Sequence, residues 1–166
     1  DHKVLNSAEF GVPQQRKRIY IVGFRSDLVG DNYEFEFPVG KKRSVFINKF
    51  LEKDAAGYSI SKRLQNGYMF KKDDGRPMLV DHNSKVHVKT LVASYHKIQR
   101  LTGTFVKDGE TGMRLFTEHE CKAIMGFPKD YVIPVSRTQM YRQFGNSIVV
   151  PVVSAVAKKM TNEFAR

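Results

Sequence analysis

Cysteine is almost missing from this 166-residue chain, which holds only Cys121. A single thiol cannot close an internal disulfide, and without a second thiol it cannot form the paired cysteines of a zinc site. Long apolar runs are missing as well. No stretch approaches the roughly 20 apolar residues needed to cross a bilayer, and the N-terminus lacks the basic-then-apolar pattern of a secretory signal. The expectation is a soluble, intracellular protein. Acidic residues are in deficit: 17 Asp and Glu face 28 Lys and Arg, leaving a formal charge of +11. Such an excess favours a polyanionic partner, because each neutralised phosphate releases condensed counterions. The chain carries no internal repeat and no low-complexity segment. Its 41% hydrophobic content suffices for one moderate core.

Charge and pattern divide the chain into three parts. Residues 1 to about 30 read as the end of an α/β unit. There Arg18-Ile19-Tyr20-Ile21-Val22-Gly23-Phe24 carries the near-continuous apolar stretch of a strand buried on both faces. Gly11-Val12-Pro13 ahead of it predicts a tight loop. From about 31 to 116, short apolar segments alternate with Asn66-Gly67, Asp73-Asp74-Gly75-Arg76-Pro77 and Lys107-Asp108-Gly109. These read as hairpins of a small β domain, with Val45 to Lys53 as a possible short helix. This middle part holds 16 Lys and Arg against 10 Asp and Glu, more than half of the net excess. The last part is helical. Thr117-Glu118-His119-Glu120 fits a capping box opening a helix to Met125 that stops at Gly126. A second helix is expected from Arg137 to Phe144, ending at Gly145. A third starts near Pro151, with an apolar stripe at Val152, Val153, Val156, Ala157, Met160 and Phe164.

Two clusters could carry chemistry. In Gln14-Gln15-Arg16-Lys17-Arg18, an extended backbone would put Arg16 and Arg18 on one face, where two planar guanidiniums can grip a phosphate, a carboxylate or the carbonyl edge of a base. A solvated basic loop reads equally well from the cluster alone. Gly145-Asn146-Ser147 ahead of an apolar helix can offer amides to an anionic ligand, or it can simply join one helix cap to the next. The five histidines, including His82 and His87, match no zinc spacing, so no metal is expected. Cys121 lies inside the capped helix and reads as a packed thiol.

Taken in order with their flanks, these segments resemble the C-terminal portion of the cytosine-5 DNA methyltransferase family. Leu5 through Tyr20, with its Gln-x-Arg-x-Arg core, is similar to the family's motif VIII. Arg114-Leu115-Phe116-Thr117 through Met125-Gly126-Phe127-Pro128 is similar to motif IX, and Tyr141 through Val152 to motif X. Lys89-Thr90-Leu91-Val92-Ala93-Ser94-Tyr95 resembles the Thr-Leu segment of the target-recognition domain.

The resemblance implies an α/β fold: the C-terminal piece of a Rossmann-like, S-adenosylmethionine-dependent methyltransferase domain plus a small, mostly β target-recognition domain. The implied divisions are 1–46 and 118–166 for the catalytic pieces, with the motif IX helix and hinge at 118–145 and the motif X helix at 146–166, and 47–117 for recognition. The family flips a cytosine out of double-stranded DNA, attacks C6 with a cysteine thiolate and transfers a methyl group to C5. By resemblance Arg18 meets the O2 edge of the flipped base, with Arg16 and Gln14 organising that pocket. Asn146, Ser147 and Ile148 approach the amino-acid end of S-adenosylmethionine. Thr90 and Leu91 lie near the DNA, and Lys97 and Arg100 serve as base readers or phosphate clamps.

The family's nucleophile in a Pro-Cys loop, its Glu-Asn-Val segment and its Phe-x-Gly-x-Gly cofactor turn do not occur in this sequence. The reading is therefore a component that needs another polypeptide segment carrying those motifs, inactive alone, and cytoplasmic in a bacterial or phage setting. The isolated N-terminal strand and the stripe on the last helix would meet that segment. The alternative is a non-catalytic DNA-binding module left by truncation of such an enzyme.

Overall fold

A computed structural model describes residues 1–30, 33–41 and 45–164, the side chains of 163 and 164 excepted. The N-terminal strand is not isolated. β1 (His2–Asn6) and β2 (Lys17–Ile21) pair antiparallel, with Val4 opposite Ile19 and His2 opposite Ile21. Residues directly opposite share a face of the ladder. Leu5 is buried on one face, while Ile19 and Ile21 on the other are 57% and 77% exposed. Burial on both faces, expected from the apolar run, is therefore not met: no second layer covers that face among the described residues. A 3-10 turn at Ser7–Phe10 links the strands, closed by Gly11 in the left-handed conformation. The Asn6 side chain accepts from the Ala8 and Arg16 amides at 3.4 and 3.3 Å, fixing both ends of the connection. The short helix α1 (Ser26–Val29) follows β2.

The middle of the chain has less ladder than its turn signals predict. Its regular strands are β3 (Met78–Val80) and β4 (Thr104–Val106), which pair in parallel. Asn66-Gly67 lies in a π-turn, Gln65–Met69, that continues the short helix α2 (Lys62–Leu64), and Asp73 to Pro77 lead into β3 without a returning partner strand. Only Lys107-Asp108-Gly109 turns the chain back, bringing Arg114 antiparallel to Val106. The expected helix at Val45 to Lys53 is a single 3-10 turn, Ile47–Lys49. Side chains replace missing ladder bonds. Gln65 Nε2 donates to the carbonyls of Ile60 and Thr111 at 2.6 and 3.1 Å.

The C-terminal helices pack this region together. α3 (Glu118–Met125) opens with the Thr117–Glu120 capping box and ends at Gly126, φ 74°, as its sequence predicts. A side-chain Cβ at Gly126 would lie 2.4 Å from Pro151 Cδ, so the same glycine lets the next helix start against it. Arg114 is fully buried and uses all five donors: two on Glu120 at 2.8 Å each, then Asp108, Leu115 O and Glu52 O. Tyr95 stacks between Phe105 and Phe116 and meets Tyr141 edge-on. One contiguous apolar core runs from Leu5 through this aromatic stack to Val156. α5 (Val150–Phe164) buries Val152 and Val156 and packs Met160 against that core. Val152, Val156 and Met160 of the stripe thus find their surface within the chain, Ala157 is exposed, and the Phe164 side chain lies outside the described residues. No described helix is long and apolar enough to cross a membrane.

Candidate functional site

Three sequence-distant segments meet at Gln14 and Arg16. The Pro13-to-Arg16 stretch lies beside Val88, with Gln15 N donating to Val88 O at 3.0 Å and Val88 N to Pro13 O at 2.8 Å. This alignment delivers Gln14 and Arg16 to the segment that follows. Gln14 is fully buried. Its Oε1 accepts from Leu91 N at 2.6 Å, and its Nε2 donates to Ile124 O at 3.2 Å at the end of α3. Arg16, 7% exposed, donates from Nη1 to Leu91 O at 3.0 Å. Both backbone polar groups of Leu91 are therefore held by side chains of the Gln-x-Arg-x-Arg segment, and the Thr90 hydroxyl adds a 2.8 Å bond to Gln15 O.

The same guanidinium closes the third side. Arg16 Nη2 donates to Gly145 O and Ser147 O, each at 3.0 Å. Helix α4 (Arg137–Asn146) runs through Gly145, its predicted stop, and ends one residue later. A Cβ on Gly145 would lie 2.0 Å from Ala93 N and 2.2 Å from Val92 C. Glycine stands here because a helix presses on the backbone of the Leu91 segment, and the helix ends at Asn146 with Ser147 extended.

Arg18 differs from Arg16 in every respect that matters for chemistry. Its side chain is exposed, and its hydrogen bond is a 2.8 Å contact to the preceding carbonyl, Lys17 O. Burial first, and then the charge of Arg18, lower the pKa of Arg16, so the two guanidiniums sense each other. Tyr20 is half-buried beside them; burial raises its pKa, and both arginines oppose that shift. The result is one guanidinium locked into the fold beside another that is exposed. Asn146 and Ile148 are likewise exposed, with Ser147 half-buried between them.

Leu91 is buried, so its contribution to any surface is made by its backbone position and by Thr90 next to it. Lys97 is exposed at the end of a 3-10 turn, Tyr95–Lys97. Arg100 is 7% exposed and its guanidinium is committed to Met69 O, Lys72 O and Asp74. It lacks the free guanidinium that a direct phosphate contact requires, a correction to its reading as a clamp. Cys121 is fully buried in α3; burial, then the charges of Glu120 and Glu118, push its thiol well above the usual range. A thiolate is thereby disfavoured. No group of three or more metal-ligating side chains converges among the described residues.

Sequence reasoning missed the Arg114–Glu120 pair and the contact role of Gly145. A signal for the first was present: an arginine three residues before the capping threonine can reach the same glutamate that closes the box.

Residues 1–162 match the model of the C-5 cytosine-specific DNA methylase family. The chain belongs to that family. Among its relatives, Type II methyltransferase M.MspI of Moraxella sp is 62% identical over 160 residues, covering 96% of this chain and 37% of the relative. Type II methyltransferase M.BsuFI of Bacillus subtilis is 62% identical with 39% of its length covered. The chain thus spans less than two fifths of these methylases. The Entamoeba histolytica methyltransferase EhMeth has the same fold over 99% of this chain, with a TM-score of 0.75 at 20% identity. The S. pombe Dnmt2 methyltransferase superposes over 98% of this chain, covering 58% of its own, with a TM-score of 0.67 at 21% identity. In this chain the Gln14-to-Arg16 stretch, the end of α3 and the Gly145-to-Ser147 turn meet around Leu91.

Proposed function

We propose that this chain is the recognition and cofactor-wall portion of a DNA (cytosine-5-)-methyltransferase acting on double-stranded DNA. The observation that carries the reading is the junction at Arg16: one buried guanidinium ties the Gln-x-Arg-x-Arg segment to the Thr90-Leu91 segment and the Gly145-to-Ser147 turn. The segments read as motif VIII, the Thr-Leu stretch and motif X are thereby tied to one another, and Gln14 adds the end of α3 through Ile124 O. In this reading residues 47–117 form the target-recognition part, and the flanking pieces belong to the catalytic part.

Arg18 is the residue for the flipped base. Its exposed guanidinium, oriented beside a locked neighbour, stabilises charge developing at the O2 edge of the cytosine ring. Gln14 and Arg16 are positioning residues, since their donors and acceptors are engaged inside the protein. S-adenosylmethionine supplies the methyl group when bound. The residues at the end of α4 fit its amino-acid end: Asn146 offers an exposed amide and Ile148 an exposed apolar surface beside it. Thr90 and Lys97 lie on the DNA side, with Arg100 acting from within.

A second polypeptide segment provides the Pro-Cys, Glu-Asn-Val and Phe-x-Gly-x-Gly motifs. Burial of Cys121 supports this need, because the single thiol of the chain lacks the exposure and thiolate character of a nucleophile. The exposed Val4, Ile19 and Ile21 face gives that segment an apolar surface to cover. Mixing the chain with a polypeptide bearing the three motifs is expected to give methyl transfer to cytosine in duplex DNA, and the chain alone none. Transfer by the purified chain alone overturns the subunit reading.

A further inference from the structure

Arg100 points inward, and what it holds is a surface loop. Its Nε donates to Met69 O at 2.8 Å, Nη2 to Lys72 O at 2.8 Å and Nη1 to Asp74 Oδ2 at 2.9 Å, with a second contact from Nη2 to Asp74 Oδ1. Asp74 Oδ1 also accepts from the Arg76 amide at 3.1 Å. The backbone from 69 to 76 is therefore fastened from beneath at three points. Above it, Phe70, Lys71, Lys72 and Arg76 are all exposed. Burying a guanidinium is costly unless its donors are paired. Here the pairing is directed entirely at ordering a loop whose outer side is cationic and aromatic.

The topology brings this loop to the end of the ladder where Lys89 and Thr90 lie. β3 and β4 are parallel, so the segments that lead into them, 69–77 and 97–103, emerge at the same end of the ladder. Lys89 reaches that end too: its amide donates to Thr104 Oγ1 at 3.3 Å and its Nζ to Leu101 O at 3.1 Å. Thr90 follows directly. A groove of about 450 Å³ opens along the loop, lined by Phe70, Lys72, Asp73, Arg76, Leu79 and Lys107 among others. Its lining carries three cations, Lys72, Arg76 and Lys107, against the single acid Asp73.

We propose that the Phe70-to-Arg76 loop sets the DNA sequence preference of this chain: Arg76 reads a guanine edge in the major groove, and Lys72 and Lys107 hold flanking phosphates. Arg100 is a positioning residue that acts through Asp74. The proposal rests on the reading of the chain as the recognition part of a DNA methyltransferase. Arg76 is the base reader because its own amide is held by Asp74, which fixes the point at which its exposed side chain leaves the loop. A guanidinium also matches the O6 and N7 acceptors of guanine with two bonds, whereas an ammonium suits a phosphate as a point charge.

The test uses the complete methyltransferase containing this chain, with duplexes randomised across the recognition site. Methyl transfer and salt-dependent binding are measured for the unaltered enzyme and for Arg76→Ala, Lys72→Ala and Arg100→Lys. Arg76→Ala is expected to lose roughly 10- to 100-fold discrimination at one G·C pair and keep its preference elsewhere. Lys72→Ala should weaken all duplexes alike and reduce the salt slope by about one. Arg100→Lys should relax the same G·C pair as Arg76→Ala, which a purely structural role would not do. Arg76 is on the surface, so its variant decides the matter even if Arg100→Lys fails to fold. An unchanged site preference in Arg76→Ala, or an equal loss on every duplex, overturns the proposal. An unaltered enzyme that methylates no duplex overturns the underlying DNA-methyltransferase reading, a result distinct from a lost preference.

Discussion

Arg16 and Leu91 lie 75 residues apart in the chain and are joined by a 3.0 Å bond from guanidinium to carbonyl, with both groups buried. That bond and its two companions to Gly145 O and Ser147 O satisfy carbonyls that water does not reach well. Arg16→Ala removes the donors and leaves the acceptors behind. With a cost of about 1–3 kcal/mol for each unsatisfied buried group, a total loss of about 3 kcal/mol or more is expected. Urea unfolding of the chain and its variant measures it, and a loss below about 1 kcal/mol would show the junction to be weaker than its geometry implies.

Gly145→Ala puts a methyl group into the backbone of Val92 and Ala93, where no side-chain rotation can relieve it. Overpacking of this kind costs about 1–3 kcal/mol, here with backbone displacement added. Faster amide exchange at Leu91, whose amide donates to Gln14 Oε1, than in the unaltered chain is the expected signature. Unchanged protection would mean that α4 tilts away without disturbing the segment.

Arg18→Ala separates chemistry from folding. An exposed side chain whose bond is to its neighbour's carbonyl should alter stability by no more than about 0.5 kcal/mol. In the assembled enzyme, methyl transfer should fall by about 100-fold or more while duplex affinity changes little. Equal losses in nonspecific binding with turnover intact would identify a simple phosphate contact instead.

Asp108 sets an acid limb. Burial pushes its carboxyl up, but the bond from Arg114 Nε and the Gly109 amide outweigh it, and the net shift is downward. A carboxyl depressed in the folded state stabilises the protein above its ordinary pKa of about 3.9 and loses that contribution as pH falls through the folded value. Asp108→Asn should therefore cost more stability at pH 7 than at about pH 3. Equal costs at the two pH values, read from urea midpoints, would count against this ion pair as a source of pH dependence.

Cys121 should resist thiol reagents. It is fully buried, and its raised pKa leaves little thiolate near neutrality. Modification by an aromatic disulfide is expected only as fast as the chain unfolds, so the rate should rise with urea and be independent of reagent concentration. A rapid, reagent-dependent reaction of the folded chain would contradict the burial of this helix face.

The parts legible from sequence are those decided within a few residues. Thr117 and Glu120 form their reciprocal cap because helix geometry alone brings N-cap and N3 together. Gly126 ends α3 because the next residue position demands a left-handed backbone. The order of the Gln-x-Arg-x-Arg, Thr-Leu and Gly-Asn-Ser segments was equally visible, and with it the family.

Tertiary structure alone divided roles between residues of one type. Arg16, Arg18, Arg100 and Arg114 look alike in sequence, yet Arg114 neutralises Glu120, Arg100 orders a loop, Arg16 joins three segments and Arg18 stays exposed. Those differences depend on carbonyls and carboxylates as far as 131 residues away, brought within bonding distance by packing. Gly145 follows the same rule: its φ and ψ are those of any helical residue, and only the approach of Ala93 excludes a side chain. Local backbone geometry is written in neighbouring residues, whereas burial and pairing belong to the surfaces that folding brings together.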